Sequence, residues 1–133
     1  MIKRKVVSTK KAPQPDGPCS QAIVVQNMVF VSSCFGIDEN DQMPETLVEQ
    51  AELALHNMHC ILRAGCSGYS QIAKITIMVK DLQTIDQVYE VCGRVFKNDC
   101  PALTVFEVAN LHRGALVGMD CIAIAQTPPL GAS

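Results

Sequence analysis

Two short segments concentrate the residue types that could do chemistry: Gly17-Pro18-Cys19-Ser20-Gln21-Ala22 near the front and Cys100-Pro101-Ala102-Leu103-Thr104 near the back. Seven cysteines stand at Cys19, Cys34, Cys60, Cys66, Cys92, Cys100 and Cys121. No pair has the Cys-x-x-Cys spacing of a zinc ribbon or a dithiol redox site. An odd number without an export signal points to reduced thiols in a cytoplasmic protein rather than a disulfide framework. His56 and His59 stand three apart, but no carboxylate or thiol joins them in a metal-ligand pattern, so they read as a polar helix face. Ser20 has no activating base nearby in the sequence. The residues therefore call for no metal.

The elements that must position these segments are legible from periodicity. Arg4 to Val7 reads as a first strand, followed by a Pro- and Gly-rich loop from Thr9 to Cys19. Ala22–Val25 and Met28–Val31 are apolar runs joined by Gln26-Asn27, which suggests a hairpin. Thr46-Leu47-Val48-Glu49 is a capping box, and Leu47, Ala51, Ala54, Leu55, Met58, Ile61 and Leu62 then form one helical stripe. Gly65 stands where a left-handed cap is expected. Ile72–Val79 reads as a central strand. Thr84-Ile85-Asp86-Gln87 is a second capping box before an amphipathic helix carrying Val88, Val91, Cys92, Val95 and Phe96. Leu103–Val108 and Ala115–Ala125 read as the last strands, and Thr127-Pro128-Pro129 as the end of the fold.

This order predicts a single α+β domain over residues 1–133, a sheet of about six strands with two helices on one face. The strands are apolar on both faces while the helices cover one, so the open face calls for self-association. A hydrophobic fraction of 48%, a charged fraction of 18% and no apolar run long enough for a membrane span predict a soluble globular protein. A net charge of −2 offers no attraction toward phosphate backbones, so nucleic acid is not an expected partner. The local exception, Lys3, Arg4, Lys5, Lys10 and Lys11, reads as a solvated basic edge.

The segment from Thr9 to Ala22, then Ala54-Leu55-His56-Asn57-Met58, Leu62-Arg63-Ala64-Gly65, Lys74-Ile75-Thr76, Asp81 and Pro101-Ala102, resembles in order and spacing the Rid family of reactive intermediate imine/enamine deaminases. These are also known as liver perchloric-acid-soluble proteins and translation-inhibitor ribonucleases. The resemblance runs from about Val6 to Pro129. It implies a chorismate-mutase-like subunit in a homotrimer whose sheets form a barrel, with ligand clefts between subunits. In active deaminases of that family an Arg two residues after the motif Pro grips the carboxylate of a 2-imino acid. A Glu on the last strand helps position the hydrolytic water, and a Tyr in the Gly-Pro-Tyr-Ser-Gln-Ala segment lines the cleft. Water adds to the C=N carbon and ammonia leaves, with no cofactor.

At those positions this chain has Leu103, Gly118 and Cys19, and it has Ser33-Cys34 where the family usually shows Gly-Gln. The resemblance thus implies a cleft lined by Cys19, Ser33, Cys34, Leu103, Thr104 and Gly118. A guanidinium holds a carboxylate by two parallel hydrogen bonds and a Leu offers none. Losing one partner of such a pair costs on the order of 2 to 5 kcal/mol, roughly 30-fold to several-thousand-fold in binding or rate. Loss of both charges together reads as a repacked, neutral cleft. The expected function is a Rid-fold homotrimer that is a weak or inactive deaminase, binding a small neutral or apolar ligand or a protein partner. The alternatives are a deaminase with altered substrate and a ribonuclease or translation inhibitor. Arg113 and His112, in the loop before the last strand, read first as a solvated turn and second as groups that approach the cleft mouth; Cys19 and Cys34 read first as small buried hydrophobes and second as a thiol-reactive or soft-metal site.

Overall fold

The computed structural model describes residues 1–126. Six strands form one mixed sheet: β1 (Arg4–Val7), β2 (Ala22–Val25), β3 (Met28–Phe35), β4 (Ile72–Val79), β5 (Ala102–Glu107) and β6 (Val117–Ile124). Two helices, α1 (Leu47–Ala64) and α2 (Ile85–Phe96), complete the α+β fold. The strand order is β1-β2-β3-β6-β4-β5. All pairings are antiparallel except β4 with β5, which α2 connects as a crossover between parallel neighbours. No helix is long and apolar enough to cross a membrane. The expected terminator Thr127-Pro128-Pro129 lies outside the described residues.

The core follows from strand alternation. Val29, Val31, Ile75, Ile77, Val79, Val117, Met119, Cys121 and Ala123 turn to one side of the sheet. They pack with Ala51, Leu55, Met58 and Leu62 of α1 and Val88, Val91 and Phe96 of α2. The opposite side is open. One cross-strand row there reads Val6, Ile23, Phe30, Ile122, Lys74 and Ala102, and the row beside it Asp120, Thr76 and Thr104. Val6, Met28, Phe30, Phe106 and Ile124 remain exposed large hydrophobics.

Local chemistry departs from expectation at three places. The α1 capping box forms in part: Thr46 Oγ1 accepts from the Glu49 amide at 3.2 Å, but the same hydroxyl also donates to the Glu49 carboxylate at 2.7 Å. That carboxylate therefore serves the Thr side chain rather than the Thr backbone. At the other end Gly65 is not left-handed; Cys66 is, with φ 62°. Cys66 N–H donates to the Arg63 carbonyl and Ser67 N–H to the Leu62 carbonyl, a Schellman pattern displaced one residue from the glycine. The second capping box does not form. Asp81 instead caps a 3₁₀ turn over Leu82–Thr84 by accepting from the Gln83 amide, and the Thr84 hydroxyl donates back to the Asp81 carbonyl.

β3 runs four residues beyond the expected Val31, because it continues through a bulge. Its register against β6 passes from Val31 opposite Cys121 to Cys34 opposite Met119, so Ser32 and Ser33 together face Asp120. The extra residue shifts the alternation: Val29, Val31 and then Cys34 point into the core. Ser32 leaves the β6 ladder to donate its amide to the Gln21 carbonyl and its hydroxyl to the Ser20 carbonyl.

Candidate functional site

The bulge opens a cavity of about 690 Å³. Its walls come from the front loop around Pro13–Gly17, from Cys19, Ser20 and Gln21, from Ser32–Phe35 of β3, from Asn57 and Ile61 of α1, from His112, and from Asp120 of β6. This volume lies in the range of small-molecule sites.

Several polar side chains of the wall are consumed in building it. Gln21 Oε1 accepts from the Thr9 amide, while Nε2 donates to the Thr9, Ala12 and Pro13 carbonyls. That one buried amide folds the Pro-rich loop over the cavity. Asn57 Nδ2 donates to the Phe35 and Ile37 carbonyls at 2.9 Å each, tying the end of β3 to α1. Gly36 is needed beside it, because a Cβ there would lie 2.6 Å from Gln50 backbone atoms. Gln50 in turn donates to the Pro44 carbonyl and accepts from the Leu116 amide, which fixes the approach to β6.

The loop before β6 reaches the mouth through one residue of the expected pair. His112 lines the cavity, lies 2.8 Å from Asp16 and packs against Phe35 with ring centroids 5.6 Å apart. Arg113 is outside the lining; it donates to the Asp41 carboxylate at 2.6 Å and to the Asp41 carbonyl. Its φ of 58° is accommodated by that clamp.

Of the residues expected to line a cleft, Cys19, Ser33 and Cys34 do share this cavity. Cys34 is nonetheless 5% exposed, and burial pushes its thiol well above the ordinary range, with Cys121 and Asp120 adding to the effect. It behaves as a small hydrophobe rather than a nucleophile. Among the described residues all the cysteines are free, and no group of three or more His, Cys, Asp or Glu side chains is arranged to hold a metal. Gly118 lies beside the cavity, under the Phe35 ring: a Cβ built on it would sit 2.6 Å from Phe35 Cε1.

Leu103 and Thr104 do not line the cavity. Leu103 registers with Ile75 and through it with Cys121, on the helix side of the sheet, whereas Gly118 lies in the row of Phe35 and Met78 on the open side. Within one chain they cannot face one another. Thr104 is on the open side and accepts a hydrogen bond from Lys74 Nζ.

Two functional candidates escaped the sequence reading. Phe35 was hidden by the bulge, which no spacing rule announces. Asp120 had a usable signal: two residues beyond Gly118 it shares that residue's face, and it is the one charged residue in an apolar strand. It is partly buried, and desolvation raises its carboxyl above the usual range, with the Thr76 side chain opposing this. Among the described residues it has no salt-bridge partner; the three ion pairs join Arg94 to Glu52, His112 to Asp16 and Arg113 to Asp41.

Comparison with known proteins agrees with this architecture. Residues 9–125 match the family described as Endoribonuclease L-PSP. The RutC family protein UK114 of Drosophila melanogaster is 42% identical over 125 residues, covering 92% of this chain and 91% of that one. The mouse 2-iminobutanoate/2-iminopropanoate deaminase is 35% identical over 125 residues, covering 92% and 93%. The crystal structure of RidA from an Antarctic Psychrobacter superposes with a TM-score of 0.88 at 29% identity, covering 90% of this chain and 98% of that one. With its mixed six-stranded sheet, two helices and matched motifs, the chain belongs to the Endoribonuclease L-PSP family, to which the Rid resemblance pointed.

Proposed function

We propose that this protein is a Rid-fold homotrimer with a degenerate 2-imino acid deaminase site, weak or inactive toward 2-iminobutanoate and 2-iminopropanoate, whose cavity takes a small ligand without a carboxylate. The observation that carries this reading is the Phe35 ring on Gly118: a Glu at that position would have to displace an aromatic side chain first. The position that resemblance assigns to the water-orienting carboxylate is therefore filled by packing. Leu103, on the edge strand β5, reaches a cavity only across a subunit boundary, as the trimeric reading requires. There it brings methyl groups where a guanidinium would pair with carboxylate.

Ammonia release from 2-iminobutanoate generated in situ tests the reading, with the mouse relative assayed alongside. The wild type is expected to be at least about 30-fold slower, the effect of one lost charge partner. Leu103→Arg with Gly118→Glu is expected to remain slow, because Phe35 blocks the new side chain. Adding Phe35→Ala is expected to recover activity. A wild-type rate equal to that of the mouse enzyme overturns the proposal.

One observation favours a second reading, hydrolysis of a different imine: Asp120 keeps a carboxylate in the same cavity.

A further inference from the structure

Among the described residues of one chain, the ionisable side chains that line the cavity are Asp16, Cys19, Cys34, His112 and Asp120, with neither Lys nor Arg among them. Asp16 is held by His112. Cys34 stays a neutral thiol through burial. Gln21, Asn57 and Ser32 spend their donors on backbone carbonyls. Beside the side chains of Cys19, Ser20 and Ser33 stands the Asp120 carboxylate, opposite the Ser32-Ser33 bulge, touched by the Thr76 side chain but, among the described residues, in no ion pair. Lys74, on the same face of the neighbouring strand, donates to Thr104, which the Thr76 position separates from Asp120. The wall around Asp120 includes Phe35, Ile37 and Ile61, so part of the contact surface is apolar.

We propose that the cavity binds a small organic nitrogen cation lacking a carboxylate, a protonated imine or amine, with Asp120 as its counter-ion. The inference rests on the degenerate-site reading, since it takes the anion grip to be gone. A partly buried carboxylate with no ion-pair partner raises the affinity of a cation that fits beside it and repels an anion. A site that has exchanged a guanidinium for Leu while keeping this carboxylate has inverted its charge preference. Iminium compounds and the amines they resemble meet both requirements, an N–H donor for Asp120 and hydrocarbon for the apolar wall.

Isothermal titration of the full chain as it exists in solution separates the outcomes, using pyrrolidine hydrochloride as cationic probe and sodium 2-oxobutanoate as anionic probe. Pyrrolidinium is expected to bind with a Kd on the order of 1 mM, the scale set by so few heavy atoms, and 2-oxobutanoate at least tenfold more weakly. Asp120→Asn, which keeps the shape and removes the charge, is expected to lose at least tenfold in pyrrolidinium affinity, and Asp120→Glu to retain most of it. Absence of pyrrolidinium binding, unchanged binding in folded Asp120→Asn, or preference for 2-oxobutanoate each overturns the proposal. Fast wild-type hydrolysis of 2-iminobutanoate overturns instead the reading beneath it. Slow hydrolysis without pyrrolidinium binding leaves that reading standing and removes only the ligand class.

Discussion

Asp120 illustrates how one side chain can weaken the fold and still be retained at a site. Burial raises its carboxyl, so the folded chain binds that proton more tightly than the unfolded chain does. Stability from this group therefore falls as pH rises through the window between the ordinary carboxylate value and the raised one. Asp120→Asn removes the ionisation and is expected to be the more stable protein at neutral pH. The advantage should shrink as pH drops through the carboxylate range. Paired melting curves from pH 4 to pH 8 check this; a wild type more stable than Asp120→Asn at pH 7 refutes it. The Phe35 ring over Gly118 acts at the same scale. Removing it with Phe35→Ala should leave Gly118→Ala harmless, whereas Gly118→Ala alone is expected to cost about 1 to 3 kcal/mol by overpacking, read from denaturant midpoints.

At the scale of elements, helix ends and strand irregularities position the site. The C-terminus of α1 uses Cys66 in a left-handed conformation that glycine adopts without a Cβ penalty. Cys66→Gly is expected to stabilise the protein by about 1 kcal/mol, measured by denaturant unfolding, whereas Gly65→Ala should not gain from the same relief. A destabilised Cys66→Gly refutes this account of the cap. The helical stripes, the α1 N-terminus and the strand sequence of β4 were legible because they depend on neighbours three or four residues apart, or on alternation. The displaced Schellman cap and the unused Thr84 box were not, since Cys66 takes the left-handed conformation beside Gly65 and Asp81, three residues before Thr84, takes the cap of a 3₁₀ turn that no periodicity signals. The bulge at Ser32-Ser33 is likewise invisible to alternation, as its cause is the pairing with β6, in which Val31 meets Cys121 and Cys34 meets Met119 far along the chain.

At the scale of the molecule, the open sheet face is the feature that a single subunit leaves unresolved. Val6, Phe30 and Ile122 form part of one continuous row across it, with Met28, Ile124 and Phe106 nearby. Burial of such a face, at about 25 cal/mol per Å², is the driving force that the trimer proposal invokes. The wild type is expected to sediment at three times the 14.4 kDa chain mass. Phe30→Asp is expected to shift it toward monomer, with light scattering as the check. A monomeric wild type ends the trimer proposal and, with it, any role for Leu103 in a shared cleft.

The amino-acid sequence by itself determined the fold class, the element order, the family resemblance and the presence of Leu103 and Gly118 where that resemblance implies Arg and Glu, since all of these reside in local patterns and residue identities. Only the tertiary structure decided which of those residues meet. It gathered Cys19, Ser33 and Cys34 around one cavity, placed Leu103 and Gly118 on opposite faces, and brought Phe35 and Asp120 into the site. The physical reason is register: one residue inserted in β3 reverses which side chains point inward, and hydrogen bonding between distant strands fixes that insertion.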